Sequence, residues 1–484
     1  MTLGFTAVAL PYMLEPNQKL HVDADQASWI ASLAAIATPI GCLLSGPIID
    51  KLGRRNGLLL VNLPAVVGWA LLALTPSLYR VYIGRLLTGL AVGLSSIPAT
   101  VYISEGATAS LRGLLAAGTS VAISAGVAIV YLLGLIFKER WELVAGICGA
   151  FPVVSSLLVF WLVPESPVWY MSKGRYEEAS ASLKVFRGTD SQTRVQEELD
   201  AMAERARVCR SKSVTLLASV KSLAAPEAYK PLILMNIFFL FQQLTGVFVV
   251  IFYAVDVVKE AGVSTDPFLV AFLIGMIRLV FTVLAAWMSK RFGRRPCALL
   301  SGIGITVSLI LLGTHLYHSS TPHYDHTFEH PLEAGMNTTS ETGIDLVNGT
   351  LAAPHAGSPL PLVALLVYIL TSTIGFLTLP WTMIGEVYPA QVRGIAGGLT
   401  TCLTYVMSFV VVKLYPAMLE ALDKHGVFFF YGGMGLLGTI FVALCLPETQ
   451  GKTLAEIEDY FRGTSKLKLS NVKLISYFSQ CTVL

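Results

Sequence analysis

The chain has 484 residues, of which 54% are hydrophobic and only 13% charged, and its formal net charge is +3. Soluble domains carry about 25% charged residues, so this composition calls for a solvent other than water. The small net charge gives no ground for a nucleic-acid partner, and the apolar runs that recur along the whole length have the pattern of membrane-spanning helices.

In chain order these runs predict twelve spans, at 1–14, 28–49, 57–75, 79–102, 114–136, 142–163, 231–256, 267–288, 297–317, 360–383, 395–417 and 427–446. Eleven are long enough for about 30 Å of hydrocarbon at about 1.5 Å per residue. Span 1 is shorter, ending before Glu15, and reads as a truncated or alternative start. Met1 is followed directly by apolar residues, with no basic region or small-residue cleavage site, so a signal peptide is not expected. Lys51, Arg54 and Arg55 follow span 2, and Lys290, Arg291, Arg294 and Arg295 follow span 8. The positive-inside rule places these ends in the cytoplasm. The loop 318–358, which has no Lys or Arg, lies outside, and it carries two N-glycosylation acceptors, Asn337 and Asn348.

Four histidines (His318, His323, His326 and His330) stand in that loop beside Asp325 and Glu329. A metal site is chemically open there, but a solvated loop is the plainer reading, and no metal is expected. Seven cysteines are scattered singly and none falls in a loop placed outside, so no disulfide framework is expected. Between the halves, 164–230 is rich in charge, with helical apolar spacing at Leu183, Val185, Phe186, Val195, Leu199 and Met202. This predicts a small cytoplasmic helical subdomain, the alternative being a disordered linker. The expected organisation is a first bundle 1–163, a linker 164–230, a second bundle 231–446 and a cytoplasmic tail 447–484.

The halves repeat one another. Gly-Arg-Arg ends span 2 (Gly53, Arg54, Arg55) and span 8 (Gly293, Arg294, Arg295). A Glu precedes Arg-Gly by seven residues in each half, Glu105 before Arg112 and Glu386 before Arg393, and Pro-Glu closes each half at Glu165 and Glu448. The stretch from Arg295 to Glu386 exceeds that from Arg55 to Glu105 by the length of the loop 318–358. Two parallel six-span repeats are the construction of a rocking transporter. The paired charges sit at cytoplasmic helix ends near low dielectric, where ion pairs are screened less than on an open surface. They are expected to act as a cytoplasmic gate, the plainer alternative being helix-end anchors.

Six blocks carry a family likeness: GPIIDKLGRR (46–55), GRLLTGLAVG (84–93), PESPVWYMSKGR (164–175), QQLTG (242–246), PWTMIGEVYPAQVRG (380–394) and PETQGKTLAEIE (447–458). On these the sequence resembles the sugar porters of the major facilitator superfamily, among which the wording around WYMSKGR and LKVFRG is most similar to arthropod facilitated trehalose transporters. The resemblance implies an all-α membrane protein of twelve helices in two six-helix bundles with a central sugar site. That site would include Gln242 and Gln243 on span 7, Trp381 on span 10, and Thr404 and Tyr405 on span 11, with Ser120, Phe248 and Tyr253 completing it. The chemistry of these side chains agrees: amides donate and accept to vicinal hydroxyls, and two adjacent amides in an apolar helix need partners. Interhelical bonding is the alternative for the amides, and a core or hinge role for Trp381. Gly375 and Pro380 would let span 10 bend.

Several positions depart from the family's pattern. Phe248 and Arg278 stand where the family has Asn, Thr404-Tyr405 where it has Asn-Trp, Leu377-Thr378 where it has Gly-Pro, and Val168 where it has Arg. Arg278, inside a span, either lies near a charged or highly polar substrate or snorkels or pairs with a polar neighbour. Thr6 stands where proton-coupled relatives have Asp, and no GxxxxGK[ST] loop is present, so facilitated diffusion without nucleotide or other cofactor is expected. The expected function is facilitative transport of trehalose or a hexose by a non-enzymatic monomer of the cell membrane, with only the sugar and the bilayer as expected partners. A transporter of a polyol or another polar solute and a non-transporting sugar sensor remain alternatives. The C-terminal Cys481-Thr482-Val483-Leu484 fits either a prenylation box or a ligand for a carboxylate-capturing adaptor, or neither.

Overall fold

The structure, a computed structural model, describes all residues except 17, 75–76, 108, 189–195, 205–222, 321–357, 390–391, 453 and 463–484; the side chains of 109–114, 116, 117, 320, 454 and 455 also lie outside the description. Asn337, Asn348, the loop histidines beyond His318, the Arg112 side chain and the C-terminal four residues fall in these gaps.

Nine of the described helical stretches are long and apolar enough to cross a membrane. One of them, Arg393–Cys445, holds spans 11 and 12, since only Asp423 leaves helical geometry between them. The sequence predicts a turn there, and the structure reduces it to a kink. Span 1 is the short helix Phe5–Met13. Span 7 is broken into Pro226–Leu244, Val247–Phe252 and Ala254–Glu260. Span 4 breaks between Ser95 and Pro98, and span 10 between Ile374 and Leu379, where Gly375 and Pro380 foretold a bend.

Local chemistry sets the helix ends. Span 2, Ala24–Leu52, opens on a capping box: Asp23 accepts from the Gln26 N–H at 2.8 Å, and the Gln26 side chain accepts from the Asp23 N–H. It stops at Gly53, whose φ of 96° favours glycine. Span 8, Pro267–Phe292, stops the same way at Gly293 with φ 104°.

Spans 2 to 6 pack on one another, as do spans 7 to 12, and the halves meet along span 2 with span 11, span 5 with span 8, and span 1 with the outer pieces of span 7. Directional contacts between the halves concentrate toward the outside. Thr6 donates to the Phe252 carbonyl at 2.8 Å and Tyr131 to the Ile251 carbonyl at 2.7 Å. Tyr12 stacks on Phe268, and Lys138 pairs with Asp266. Lys413 of span 11 donates to Asp25 and Ser28 of span 2, each at 2.6 Å, and lies 4.4 Å over the Trp29 ring. On the cytoplasmic side, the half-helices Pro98–Gly106 and Leu379–Val387 pack mainly within their own halves. Among the described residues, the directional contacts between the halves thus lie mostly at the end opposite the two Gly-Arg-Arg motifs.

In the linker, Pro167–Ser172 and Tyr176–Arg187 build a small core of Met171, Ala179, Leu183 and Leu199. Arg187 ties it to the end of span 4 through the Gly106 carbonyl at 3.0 Å. Within the tail, Leu454–Arg462 is a helix that buries Ile457 and Phe461, and Lys230 donates to the Phe461 carbonyl.

The ammonium of Lys138, hydrogen-bonded to Asp266, holds that carboxyl below the ordinary carboxylate range. This outer contact is therefore present above that range and is lost as pH falls through the lowered value. Exposed pairs contribute about 0–1 kcal/mol, and the cation over Trp29 adds roughly as much. Lys413→Met combined with Asp266→Asn is expected to raise, by roughly tenfold for a loss of about 1.4 kcal/mol, the outside labelling of Ser120→Cys by an impermeant maleimide. Unchanged labelling would show that the apolar contacts alone close this face.

Candidate transport site

The repeated charge motifs build two matching clusters. In the first half, the Glu165 carboxylate accepts from the backbone N–H groups of Arg54 at 2.7 Å and Arg55 at 3.2 Å, at the start of span 3. In the second, Glu448 accepts from Arg294 and Arg295, both at 3.0 Å, at the start of span 9. Each carboxylate thus satisfies the orphan donors of a helix N-terminus and faces its positive dipole end. A Cβ on Gly53 would lie 2.2 Å from Glu165 Oε2, and one on Gly293 would lie 2.6 Å from Glu448 Oε2. The glycines are therefore required twice over, by φ and by the carboxylate beside them.

The first arginine of each motif then pairs inside its own half. Arg54 forks onto Glu105, with Nη2 at 2.8 Å and Nε at 3.0 Å, and Arg294 reaches Glu386 at 2.7 Å. Ser166 and Thr449 add hydroxyl donors to Glu105 and Glu386. Arg55 and Arg295 turn to the carbonyls of Phe160 and Ala443. Arg393 donates twice to the Tyr388 carbonyl, both at 3.1 Å. Each of the contacts described here stays within one half and ties helix ends together.

The sugar-site residues predicted from sequence divide into two sorts. Gln242 is fully buried and spends its amide N–H groups on the carbonyls of Phe376 at 2.6 Å and Leu377 at 3.1 Å, inside the break of span 10. Thr404 returns its hydroxyl to the Thr400 carbonyl at 2.8 Å. The Thr404 hydroxyl is thus committed to the backbone, whereas Gln242 commits its amide nitrogen and leaves Oε1 buried without a partner. Gln243, fully buried, has neither amide atom partnered, and the Tyr253 hydroxyl and the Ser408 hydroxyl are buried without partners as well. Unpaired buried polar groups are costly. Trp381 is half-buried, edge-on to Phe239 at 4.9 Å and 6.0 Å from half-buried Tyr405. Tyr253 lies 5.1 Å from Tyr415, Phe248 is buried, and Ser120 is half-buried on span 5.

Glycine decides the bend that exposes these groups. Gly246 has φ 77°, and a Cβ there would enter the Tyr431 ring at 2.5 Å. The Thr245 carbonyl next to this break accepts from the buried Tyr368 hydroxyl at 2.8 Å.

Sequence reasoning missed Arg85, fully buried in span 4. Its guanidinium donates to the carbonyls of Ile30 at 2.9 Å, Thr2 at 2.9 Å and Ala31 at 3.3 Å. A lone cation in the otherwise apolar block 84–93 was the available signal. Ser408 and Lys413 were also missed; Ser408 lies one helical turn beyond Thr404, on the same face.

Two alike helical bundles, with breaks in spans 4, 7 and 10, define a membrane transporter of the major facilitator fold. The chain belongs to the family described as "Sugar (and other) transporter", which it matches over residues 2–461. It is 30% identical over 461 residues to the facilitated trehalose transporter Tret1 of Apis mellifera ligustica, covering 95% of this chain and 84% of that one. With the bovine (Bos taurus) solute carrier family 2, facilitated glucose transporter member 8, it shares 31% over 464 residues, 95% of this chain and 91% of that one. Against Tret1 of Drosophila grimshawi the identity is 31% over 98% of this chain but 48% of that one, so the chain spans about half the length of such relatives. Among solved structures, the E. coli xylose transporter XylE in an inward-open conformation superposes with a TM-score of 0.72 at 20% identity, covering 95% of this chain and 96% of that one. The proton:xylose symporter XylE bound to 6-bromo-6-deoxy-D-glucose gives 0.69 at 22%, with the same coverage. These two likenesses establish the fold.

The clusters make a prediction about stability. Gly53→Ala and Gly293→Ala each force φ > 0 on a Cβ, which costs about 1–2 kcal/mol, and displace a capping carboxylate. Gly118→Ala, at a helical site with open space, instead removes a helix-weakening glycine, a gain of up to about 1 kcal/mol. Thermal unfolding of the detergent-purified protein should therefore order the variants Gly118→Ala above wild type, and wild type above the other two. Equal melting of all three variants would contradict the capping account.

Proposed function

We propose that this protein carries a sugar of the trehalose or hexose class by facilitated diffusion, alternating access between the two sides of the cell membrane. The observation that carries this reading is the set of unpartnered buried groups, Gln243, Tyr253 and Ser408, in a chain whose spans 10 and 11 present Trp381 and Tyr405. An amide offers both donor and acceptor to neighbouring hydroxyls, and aromatic faces pack on the apolar face of a sugar ring. The likeness to a facilitated trehalose transporter and a facilitated glucose transporter supports the same class.

Uncoupled transport is supported by how the interior treats charge. Arg85 is held by carbonyl oxygens alone, and Thr6 spends its hydroxyl on Phe252. Among the described residues, no carboxylate sits on this cation to carry a proton through the cycle. The two charge clusters act as the cytoplasmic gate in a specific sense. Each makes the cytoplasmic ends of its own bundle rigid, so that the bundles rock as bodies while their mutual contacts change.

The test is uptake of radiolabelled trehalose and glucose into cells expressing the full chain. Saturable uptake of either sugar, insensitive to a proton uncoupler, is expected. Gln243→Ala and Trp381→Ala should each lower its efficiency at least about tenfold, the equivalent of about 1.4 kcal/mol. Gln242→Ala should lower surface yield and melting temperature as well, because it removes support from the break in span 10. No uptake of either sugar by protein shown to be at the surface would refute the reading.

A further inference from the structure

We infer that the site accepts a sugar bearing a single negative charge, a hexuronate-type acid, and that Arg278 is the residue that selects it. The inference rests on the sugar-transport reading above and specifies its substrate class.

Arg278 lies near the middle of the helix Pro267–Phe292, about 17 Å from its outer end at about 1.5 Å per residue. It is only 6% exposed, and its Nε and Nη1 are buried with no acceptor. It therefore does not snorkel to an interface in this structure. Among the described residues, none of the ion pairs involves it.

Contacts to span 5 fix where it stands. One turn before it, Gly275 packs against Ala128 and the Tyr131 ring, and a Cβ there would meet them at 2.9 and 3.0 Å. One turn after it, Thr282 meets Ser124 at 2.9 Å and donates to the Arg278 carbonyl. Arg278 thus sits in the seam between the two halves. A helical side chain leans toward the N-terminus of its helix, which carries the guanidinium toward the level of Tyr131. The Tyr131 hydroxyl is bonded to Ile251, two residues before Tyr253 with its free hydroxyl.

Arg85 supplies the internal contrast. It is equally buried in an apolar span, yet each of its three guanidinium nitrogens donates to a carbonyl. This fold can therefore satisfy an arginine whose role is to hold helices together. Arg278 has been given no such oxygens. The Met1 amino group is buried against Gly126 of span 5, within electrostatic reach of Arg278, and as a donor it supplies no acceptor. A cation in mid-membrane without acceptors marks a functional site, and an entering anion would supply them. The planar guanidinium matches a carboxylate. Gln243, Tyr253 and Ser408 remain for the hydroxyls, which a bare chloride ion would leave unmet.

A uniporter of an anion must respond to membrane potential, and one of a neutral sugar must not. The test uses the purified full chain in proteoliposomes with a potassium diffusion potential of about 100 mV, negative inside, and radiolabelled D-glucuronate and D-glucose as probes. Wild-type protein is expected to carry glucuronate, with its steady-state inside-to-outside ratio lowered about fiftyfold relative to zero potential. The glucose ratio should not move. Arg278→Gln should lower glucuronate transport at least tenfold more than it lowers glucose transport. Glucose transport without glucuronate transport in the wild type would overturn the inference and leave the sugar reading intact. Transport of neither would overturn both. Where Arg278→Gln fails to fold, the potential dependence of the wild type alone decides.

Discussion

A backbone in hydrocarbon has no water to bond, so every interruption of a spanning helix must find its partners inside the protein. This chain interrupts three of its spans, and those interruptions organise the rest. The break in span 10 is held by the Gln242 amide and by Ser301, whose hydroxyl accepts from the Phe376 N–H at 3.0 Å. The break in span 7 is held by Tyr368 from its own half and by Tyr131 and Thr6 from the other. Donors committed to this task are unavailable for solute, which is why two neighbouring amides differ: Gln242 keeps only its Oε1 unbonded, whereas Gln243 keeps both amide atoms. The same bonds between Thr6, Tyr131 and span 7 seal the outer side.

The cytoplasmic ends obey a related rule. Helices that begin at the membrane surface leave orphan N–H groups, and the two halves answer with the same device, a Glu from the end of the half capping the Arg-Arg start of its third span. The cap closes each six-span unit on itself, joining its second, third and last spans. An ion pair from the same arginine then adds the fourth span of each unit. Rigid units that meet elsewhere through a few polar contacts and broad apolar packing are what rocking requires.

Charge in the interior is distributed unevenly. Arg85 is neutralised in effect by carbonyl dipoles and behaves as a strut between span 4 and spans 1 and 2. Arg278, in the seam, is left unanswered. Lys413 lies at the outer edge, where water and Asp25 are within reach, so its charge can serve a latch between spans 2 and 11. Depth in the membrane and the oxygens within reach decide which cation is structural and which is free to recognise solute.

Much of this was legible in the sequence because the bilayer constrains it so strongly. Hydropathy located the spans, the Lys and Arg bias oriented them, and the spacing of Gly-Arg-Arg, Glu and Pro-Glu showed two equivalent halves. All of these follow from local composition against a fixed solvent. The partner of each polar side chain was not legible, since it depends on which distant carbonyl the packing brings near. Gln242 and Gln243 are identical in type and adjacent in sequence, and only the break in span 10, more than 130 positions away, separates a structural amide from a free one. Likewise, the sequence singled out Arg278 as a departure from the family's pattern but gave no sign that Arg85 would be held by three carbonyls. Sequence determined the solvent, the spans and the repeat, because these are properties of segments. The tertiary structure decided which buried groups are spent and which remain open, because hydrogen bonds in a membrane interior are made between segments.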